Sequence, residues 1–380
     1  MARGRRDGLL IAGGGLSGCL AALAMAHKRP NVPILLVEEA ESFGGNHIWS
    51  FFDTDLAAED RWLVEPMIGH HWPGYYVAFP GRSRKLRTGV NSIRSERLDE
   101  HVREVLRPDQ YRLGTRIAAV REREIVLTDG ETIKAEGAID ARGAANLSLL
   151  DLGWQKFVGR EYRFEQPHGL DLPVVMDATV PQTGGFRHLY LLPFDEHRML
   201  VEDTCYSEDP ELDTAAVGER IDDYVARRRW GAAVIEREES GALPVAMGGD
   251  FEAFLRIGGA RVAKLGLRGG LFHPTTGYAL PEAVRAAVLL SQQQGFDGPA
   301  LHDLFAGHSM KLWKQRAFYR TIDTMLLRGG APEERYKVME RFYRFNSGLV
   351  GRFYAGKPTT FDRMRIQRGK PRAALAARQG

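Results

Sequence analysis

The amino-acid sequence predicts an α/β fold in three parts. A strand, a glycine turn, a helix and a second strand follow in that order between Leu9 and Glu38, the opening of a parallel sheet. Strand-like apolar runs then recur through 147–256, which reads as a second domain on an antiparallel sheet. From Leu301 to Tyr354 the periodicity is helical. The first domain is assigned to 1–50, 90–146 and 257–300, the second to 51–89 and 147–256, and a C-terminal helical segment to 301–380. A length of 380 residues accommodates two connected domains and a sizeable core.

Leu9-Leu10-Ile11-Ala12 is an apolar run suited to a buried parallel strand. Gly13-Gly14-Gly15-Leu16-Ser17-Gly18 follows at once, and Leu16–His27 places Leu20, Leu23 and Ala24 at helical spacing. Ile34-Leu35-Leu36-Val37 is the second strand, ended by Glu38. In such a βαβ unit Gly13 allows the tight turn, Gly15 admits a pyrophosphate close to the backbone, and Gly18 lets helix and strand pack closely. Gly14 and Ser17 complete the turn, and the helix N-terminus offers free N–H groups and a positive dipole end to phosphate. Glu38, 20 residues beyond Gly18, stands where an acid bonds ribose hydroxyls and repels a 2′-phosphate. The register of all four pieces predicts a Rossmann-type dinucleotide site, with Glu39 as the neighbouring alternative acid.

Phe51–Gly81, rich in Trp, Pro and Gly, reads as an irregular excursion with short strands. Ser95–Leu106 carries Leu98, Val102, Val105 and Leu106 on one helical face. Arg112–Thr128 alternates weakly, as hairpin strands reaching the Asp129-Gly130 turn, and Lys134–Arg142 reads as a strand. Further strands are expected at Phe157–Arg163, Leu172–Asp177, His188–Leu192 and Met199–Asp203, followed by a helix over Thr214–Arg228. The chain returns to the first domain through Ala263-Lys264-Leu265-Gly266, and a helix over Pro281–Gln294 follows with Pro281 in its first turn.

A balance of 52 Lys+Arg against 49 Asp+Glu, net +3, gives no argument for nucleic acid. The basic residues gather at Met1–Arg6 and Arg352–Arg378, which reads as solvated tails or as attraction to an anionic membrane surface. Cys19 and Cys205 form no C-x-x-C pair, so neither a metal site nor a disulfide framework is expected, and a reducing cytoplasm fits. Cys19 reads as a small buried residue of the first helix. No run approaches the ~20 apolar residues of a membrane helix, so a soluble or peripheral protein is expected.

The glycine motif does not by itself choose between NAD and FAD. Its place at the start of the chain, with Gly44-Gly45-Asn46 after the acid, leans toward FAD by analogy with flavoproteins. Further segments are more specific: Gly44-Gly45-Asn46-His47-Ile48-Trp49-Ser50 and Gly270-Leu271-Phe272-His273-Pro274-Thr275-Thr276-Gly277-Tyr278 above all, with Met199-Leu200-Val201-Glu202-Asp203-Thr204, Gly241-Ala242-Leu243-Pro244 and Arg352-Phe353-Tyr354-Ala355-Gly356. With these the chain resembles, over most of its length, the FAD-dependent lycopene cyclases, in their bacterial β-cyclase branch. The resemblance implies a Rossmann-type FAD-binding domain of the glutathione-reductase/hydroxylase-like kind and an antiparallel-sheet substrate domain. It adds Gly45, Asn46, His47, Gly277 and Tyr278 to Gly13, Gly14, Gly15, Ser17, Gly18 and Glu38 as candidate cofactor-binding residues. One departure from redox flavoproteins is that Gly266-Leu267-Arg268-Gly269 lacks the Gly-Asp acid usual before the second flavin-binding helix, which weakens a hydroxylase reading. The loop Pro274–Tyr278 is expected to meet the isoalloxazine through backbone groups.

The resemblance further implies closure of linear lycopene to γ-carotene and β-carotene, without net redox, by an enzyme needing reduced FAD with NAD(P)H as electron source. Lycopene, carotenoid intermediates and a membrane surface are the implied partners, in a cytoplasmic, peripherally membrane-associated protein. Such chemistry needs an acid to protonate an alkene, a dry pocket for the carbocation and a base. Glu202 and Asp203 are the candidate catalytic residues. On a strand they point to opposite faces, so Glu202 is assigned as the acid and Asp203 to structural or orienting bonds. Taken without the resemblance, both are ordinary strand-end carboxylates. Trp49, Phe51, Phe52, Phe272 and Tyr278 are either cation-stabilising rings or packing, and His47 and His273 either polar handles near the flavin or structural histidines. From Trp313 to Tyr354 basic and aromatic residues mix, for example in Trp313–Arg320, as an interfacial face or as a helix packed on the sheet. Two rival classes stay open at this level. A monooxygenase or alkene reductase acting on a hydrophobic isoprenoid would couple NAD(P)H use to net redox, and a non-catalytic carotenoid- or flavin-binding protein would need no acid on its pocket wall.

Overall fold

The apolar run at the N-terminus becomes the strand Arg6–Ala12, inside a seven-stranded sheet. The structure is a computed structural model that describes residues 6–144 and 146–368; the remaining basic residues of both ends lie outside the described residues. Arg6–Ala12 pairs in parallel with Ile34–Val37 on one side and Thr132–Asp140 on the other. Tyr111–Arg112 and Ala263–Lys264 extend the parallel set. Ile117–Arg121 and Glu124–Leu127 add an antiparallel margin, so the hairpin expected over 112–128 starts later than its weak alternation suggests. Leu9 and Ile11 pack under the helices Leu16–Lys28 and Leu280–Ser291, while Leu10 and Ala12 face a second apolar layer. Coverage on both faces is why this strand shows no polar alternation.

The second sheet also has seven strands, in the order Ala233–Gly249, Leu150–Phe164, Arg198–Ser207, Phe186–Pro193, Val174–Asp177, Tyr75–Phe79 and Arg82–Leu86. All its pairings are antiparallel except that of Val174–Asp177 with Tyr75–Phe79. Ile48–Phe52, Val90–Arg94 and His70–Trp72 form a small antiparallel sheet. The excursion 51–89 therefore divides between two sheets. The 17-residue strand Ala233–Gly249 has no counterpart in the sequence reading, because its first half is charged and exposed, with Val234 itself 59% exposed, and alternation is hidden. Thr214–Arg228 forms the expected helix, capped by the Asp213 carboxylate accepting the Ala216 N–H at 3.0 Å.

After Leu280–Ser291 five α-helices follow among the described residues: Gly298–Gln315, Ala317–Arg328, Tyr336–Phe342, Ser347–Tyr354 and Thr360–Gln367. Phe318, Tyr319, Leu326, Phe342 and Phe353 share one core with Phe186, Tyr190 and Tyr206 of the second sheet. The Trp313–Arg320 segment turns inward: Trp313 stacks on Phe251 at 4.3 Å, and buried Arg316 pairs with Glu282 and donates to the Phe272 carbonyl at 3.1 Å. Trp313, Arg316, Phe318 and Tyr319 are engaged in packing while Lys314, Gln315 and Ala317 stay exposed, and no described helix is long and apolar enough to cross a membrane.

Candidate functional site

A cavity of about 750 Å³ runs from the N-terminal glycine turn to the face of the second sheet. The turn is built for close approach. A Cβ on Gly18 would lie 1.9 Å from the Gly13 carbonyl oxygen, so only glycine lets the helix leave the strand there, whereas a Cβ on Gly15 would meet nothing within 4 Å and would project into open space. The helix Leu16–Lys28 begins with neither a side-chain cap nor an acid in its first turn. Its free N–H groups and positive dipole end are thus available to an anion. Gly13, Gly14, Gly15 and Ser17 line the cavity, while Gly18 lies beneath it. Glu38 is held in place by the N–H groups of Gly14 and Ala40, at 2.5 and 2.9 Å, and also faces the cavity. Arg142 and Arg268 share the single carboxylate of Asp140 at 2.9 and 3.3 Å, leaving a surplus of positive charge on the wall. A second helix, Leu280–Ser291, starts at the other end of the cavity, again with no side-chain cap. This donor set suits a dinucleotide: N–H groups and arginines for the pyrophosphate, a carboxylate for ribose hydroxyls. Gly15→Ala should therefore keep the fold and weaken FAD binding by about tenfold, roughly 1.4 kcal/mol, measured by titrating flavin fluorescence.

Gly45, His47, Gly277 and Tyr278 also line this cavity. Asn46, expected at the cofactor, does not: it donates to the Glu238 carbonyl at 3.0 Å and accepts from Arg237 Nε at 2.9 Å. Its amide ties the glycine loop to the neighbouring strand, a partner the sequence reading did not place nearby. The Pro274–Tyr278 loop is closed on itself, His273 N–H to Tyr278 O at 2.9 Å and Gly277 N–H to His273 O at 2.8 Å, so those two N–H groups are already engaged.

At the sheet end, Glu202 lines the cavity and Asp203 does not. Asp203 occupies the opposite face, fully buried, with Arg187 donating from Nε at 3.0 Å and from an amino nitrogen at 2.7 Å, and Arg220 adding a contact at 3.2 Å. The strand's period of two separates the two carboxylates and keeps Asp203 off the cavity wall. Burial pushes the Glu202 carboxyl up to about 8, reinforced by the negative charge of Glu239 and opposed by the Thr204 hydroxyl, which donates to it at 2.7 Å. Glu239, which the sequence reading missed, lies on the same cavity wall and is 5% exposed. Burial pushes it up to about 7, against the pull of Arg237 and of the Ile48 N–H that donates to it at 2.9 Å.

A small inner cavity of about 30 Å³ adjoins the first and shares Ser50, Gln155, Tyr190 and Tyr278 with it. Phe51, Phe52, Phe186, Tyr206, Phe353 and Tyr354 complete a mostly aromatic wall. Burial pushes His188, also on this wall, down to about 4, so its imidazole is neutral at ordinary pH. Of the ring candidates, Phe51, Phe52 and Tyr278 reach this chamber and Trp49 the larger cavity, whereas Phe272 reaches neither. His273 is structural: its Nε2 meets the Phe353 carbonyl at 3.1 Å, and burial pushes it down to about 3. Tyr206 follows from Glu202 by strand alternation alone, being four residues on. Tyr190 and Glu239 come from register with other strands, which periodicity does not carry.

Residues 8–379 match the protein family described as lycopene cyclase protein. The chain belongs to the lycopene cyclase family. It is 41% identical to the lycopene beta-cyclase of Pantoea ananas over 370 residues, 97% of this chain and 96% of that protein. It is 39% identical to the lycopene beta-cyclase of Pseudescherichia vulneris, covering 97% of this chain and 95% of that one. A flavin-dependent brominase of known structure shares the fold with a TM-score of 0.60 at 15% identity, over 96% of this chain and 98% of that chain. This lycopene cyclase family member thus carries its uncapped helix ends and its buried glutamates on a fold also used by a flavin enzyme.

Proposed function

We propose that the protein is a lycopene β-cyclase that closes the ends of linear lycopene, through γ-carotene, to β-carotene, with FAD in the large cavity. The observation that carries this reading is Glu202, a carboxylic acid that keeps its proton near neutral pH, on the wall of the large cavity beside Tyr190, which that cavity shares with the aromatic chamber. Protonation of a terminal alkene by Glu202 generates a cation, the neighbouring alkene attacks it to form the ring, and loss of a ring proton restores neutrality with no change of oxidation level. The rings of Phe51, Phe186, Tyr190, Tyr206 and Tyr278 exclude water and offer π-faces to the cation. Asp203, by fixing Arg187 behind the strand, orients the segment that carries Glu202. Reduced FAD, kept so by NAD(P)H, would supply a negative field beside the cation. Gly13, Gly14, Gly15, Ser17, Glu38, Gly45, His47, Gly277 and Tyr278 would hold the cofactor, with Gly18 and Asn46 supporting the turn and loop.

Expression in a lycopene-accumulating host tests the reading: β-carotene should appear, with turnover in vitro when FAD is reduced and none when it is oxidised. Unchanged lycopene beside folded, flavin-loaded protein would overturn it, and net oxidation or reduction of the pigment would favour the redox class.

The substrate dissolves in lipid, so we place the protein in the cytoplasm, at the membrane surface. Phe361 and Met364 are 60% and 44% exposed and three residues apart on the last helix, with Arg365 alongside. An apolar pair ringed by cations suits an anionic bilayer. Flotation with anionic liposomes should succeed at low salt and fall for Phe361→Ser/Met364→Ser.

A further inference from the structure

We propose that Glu239 is a positioning residue for ring closure: seated across a bare glycine from Glu202, its carboxylate keeps the reacting proton on Glu202. The inference rests on the cyclase reading of the site.

The geometry comes from strand register. Gly159 in the strand Leu150–Phe164 pairs on one side with Glu202 and on the other with Glu239. Residues that pair with the same position share its face, so both glutamates rise on the cavity side, their Cα atoms about 10 Å apart across two strand spacings. Between them Gly159 contributes no side chain. A Cβ there would lie 3.2 Å from Leu200 Cδ1, 3.4 Å from Glu239 Cγ and 3.6 Å from Glu202 Cβ, so both glutamate stems and an apolar methyl group converge on the glycine. No cation stands between them, so two charges here would repel at close quarters, and one proton is retained.

The surroundings say which glutamate retains it. Around Glu239 lie the guanidinium of Arg237 on its own strand, paired to Glu96, that of Arg94 on Val90–Arg94, paired to the buried Glu161, and the Ile48 N–H. His47 stands nearby, held neutral by burial and by Arg237. Around Glu202 lie Thr204 on its own strand, Asp203 behind it, and the neutral hydroxyls of Tyr190, Tyr206 and Tyr278. No cation faces Glu202 comparably. Cations on one side only bias the pair toward ionised Glu239 and protonated Glu202, so Glu239 acts through Glu202 and not on the substrate.

The test uses the oxidised, FAD-loaded holoenzyme and follows the protonated-carboxyl infrared band against pH, a readout that needs no substrate. In the parent protein the band of Glu202, identified by its absence in Glu202→Gln, should disappear with a midpoint near 8. Glu239→Gln still accepts the Ile48 N–H and should move that midpoint down by about one pH unit, roughly 1.4 kcal/mol. Glu239→Asp, which keeps the charge but retracts it by one carbon, should fall between. The alkaline fall of turnover should move with the band. Identical midpoints in the three proteins would overturn the inference, and so would a flavin-loaded Glu239→Gln inactive at every pH, since Glu239 would then handle the substrate proton itself. If Glu239→Gln does not fold, the parent and Glu239→Asp alone decide it. A moved band in a protein that leaves lycopene unchanged would retire the cyclase reading and leave the pair standing.

Discussion

Glu202→Gln should lower ring-closing turnover by roughly 10²–10⁴-fold, the range that a positioned acid contributes, with FAD still bound. The amide matches the carboxylic acid in shape and can still accept from the Thr204 hydroxyl, so the wall of the cavity is preserved. What it lacks is an acidic proton. Glu202 is set apart by its place: it lines the large cavity and pairs across the sheet with Tyr190, which also lines the aromatic chamber. Its proton is fully present well below the midpoint of about 8 and is lost as pH rises through it, so the parent should slow in alkali and the variant should show little of that dependence. Turnover of dispersed lycopene with reduced enzyme, beside the flavin absorbance of the same sample, checks both halves. Retained turnover at full flavin loading would remove Glu202 from the mechanism.

Asp203→Ala should destabilise the fold by about 3–5 kcal/mol, the cost of breaking a buried ion pair and leaving one charge behind. Arg187 is buried, and its guanidinium meets no carboxylate other than Asp203 among the described residues. Arg220 loses a partner as well, though from a more exposed position. Asp203→Asn should cost less, because the amide keeps one acceptor for the fork. Replacing Arg187 and Asp203 together by apolar residues of similar size should recover much of the loss. Urea unfolding followed by far-ultraviolet circular dichroism measures all three, and a loss under 1 kcal/mol for Asp203→Ala would mean that the pair is dispensable. Neighbouring acids on one strand thus carry the two largest expected effects, one on rate and one on stability.

Much of the first domain was legible because its signals are local. Leu9–Ala12, the glycines and Glu38 sit within one βαβ unit, where turn chemistry and spacing determine the geometry, and the structure sets the turn, the helix end and the acid on one cavity. The second sheet was legible where alternation or a continuous apolar run survives, as in Phe186–Pro193 and Arg198–Ser207. It was illegible in Ala233–Gly249, where arginines and glutamates meet solvent on one half and a site on the other. Glu239 was lost with that strand, since it becomes a neighbour of Glu202 only through Gly159. Asn46 failed for a related reason: its role depends on Arg237 and Glu238, nearly two hundred residues away. The aromatic chamber is likewise a product of register and of late helices, and no local pattern announces it.

That chamber draws Ser50 and Phe51 from near the start of the chain, Tyr190 and Tyr206 from its middle, and Phe353 and Tyr354 from close to its end. During synthesis the nucleotide turn and its acid leave the ribosome early, whereas the chamber wall is complete only when Tyr354 has emerged. Until then the aromatic wall beside Tyr190 and Tyr278 is open on the side that Phe353 and Tyr354 close. The wall of the large cavity, which ends at Leu280, is therefore synthesised before the aromatic chamber can close. Phe353 and Tyr354, among the last described side chains to emerge, seal the chamber.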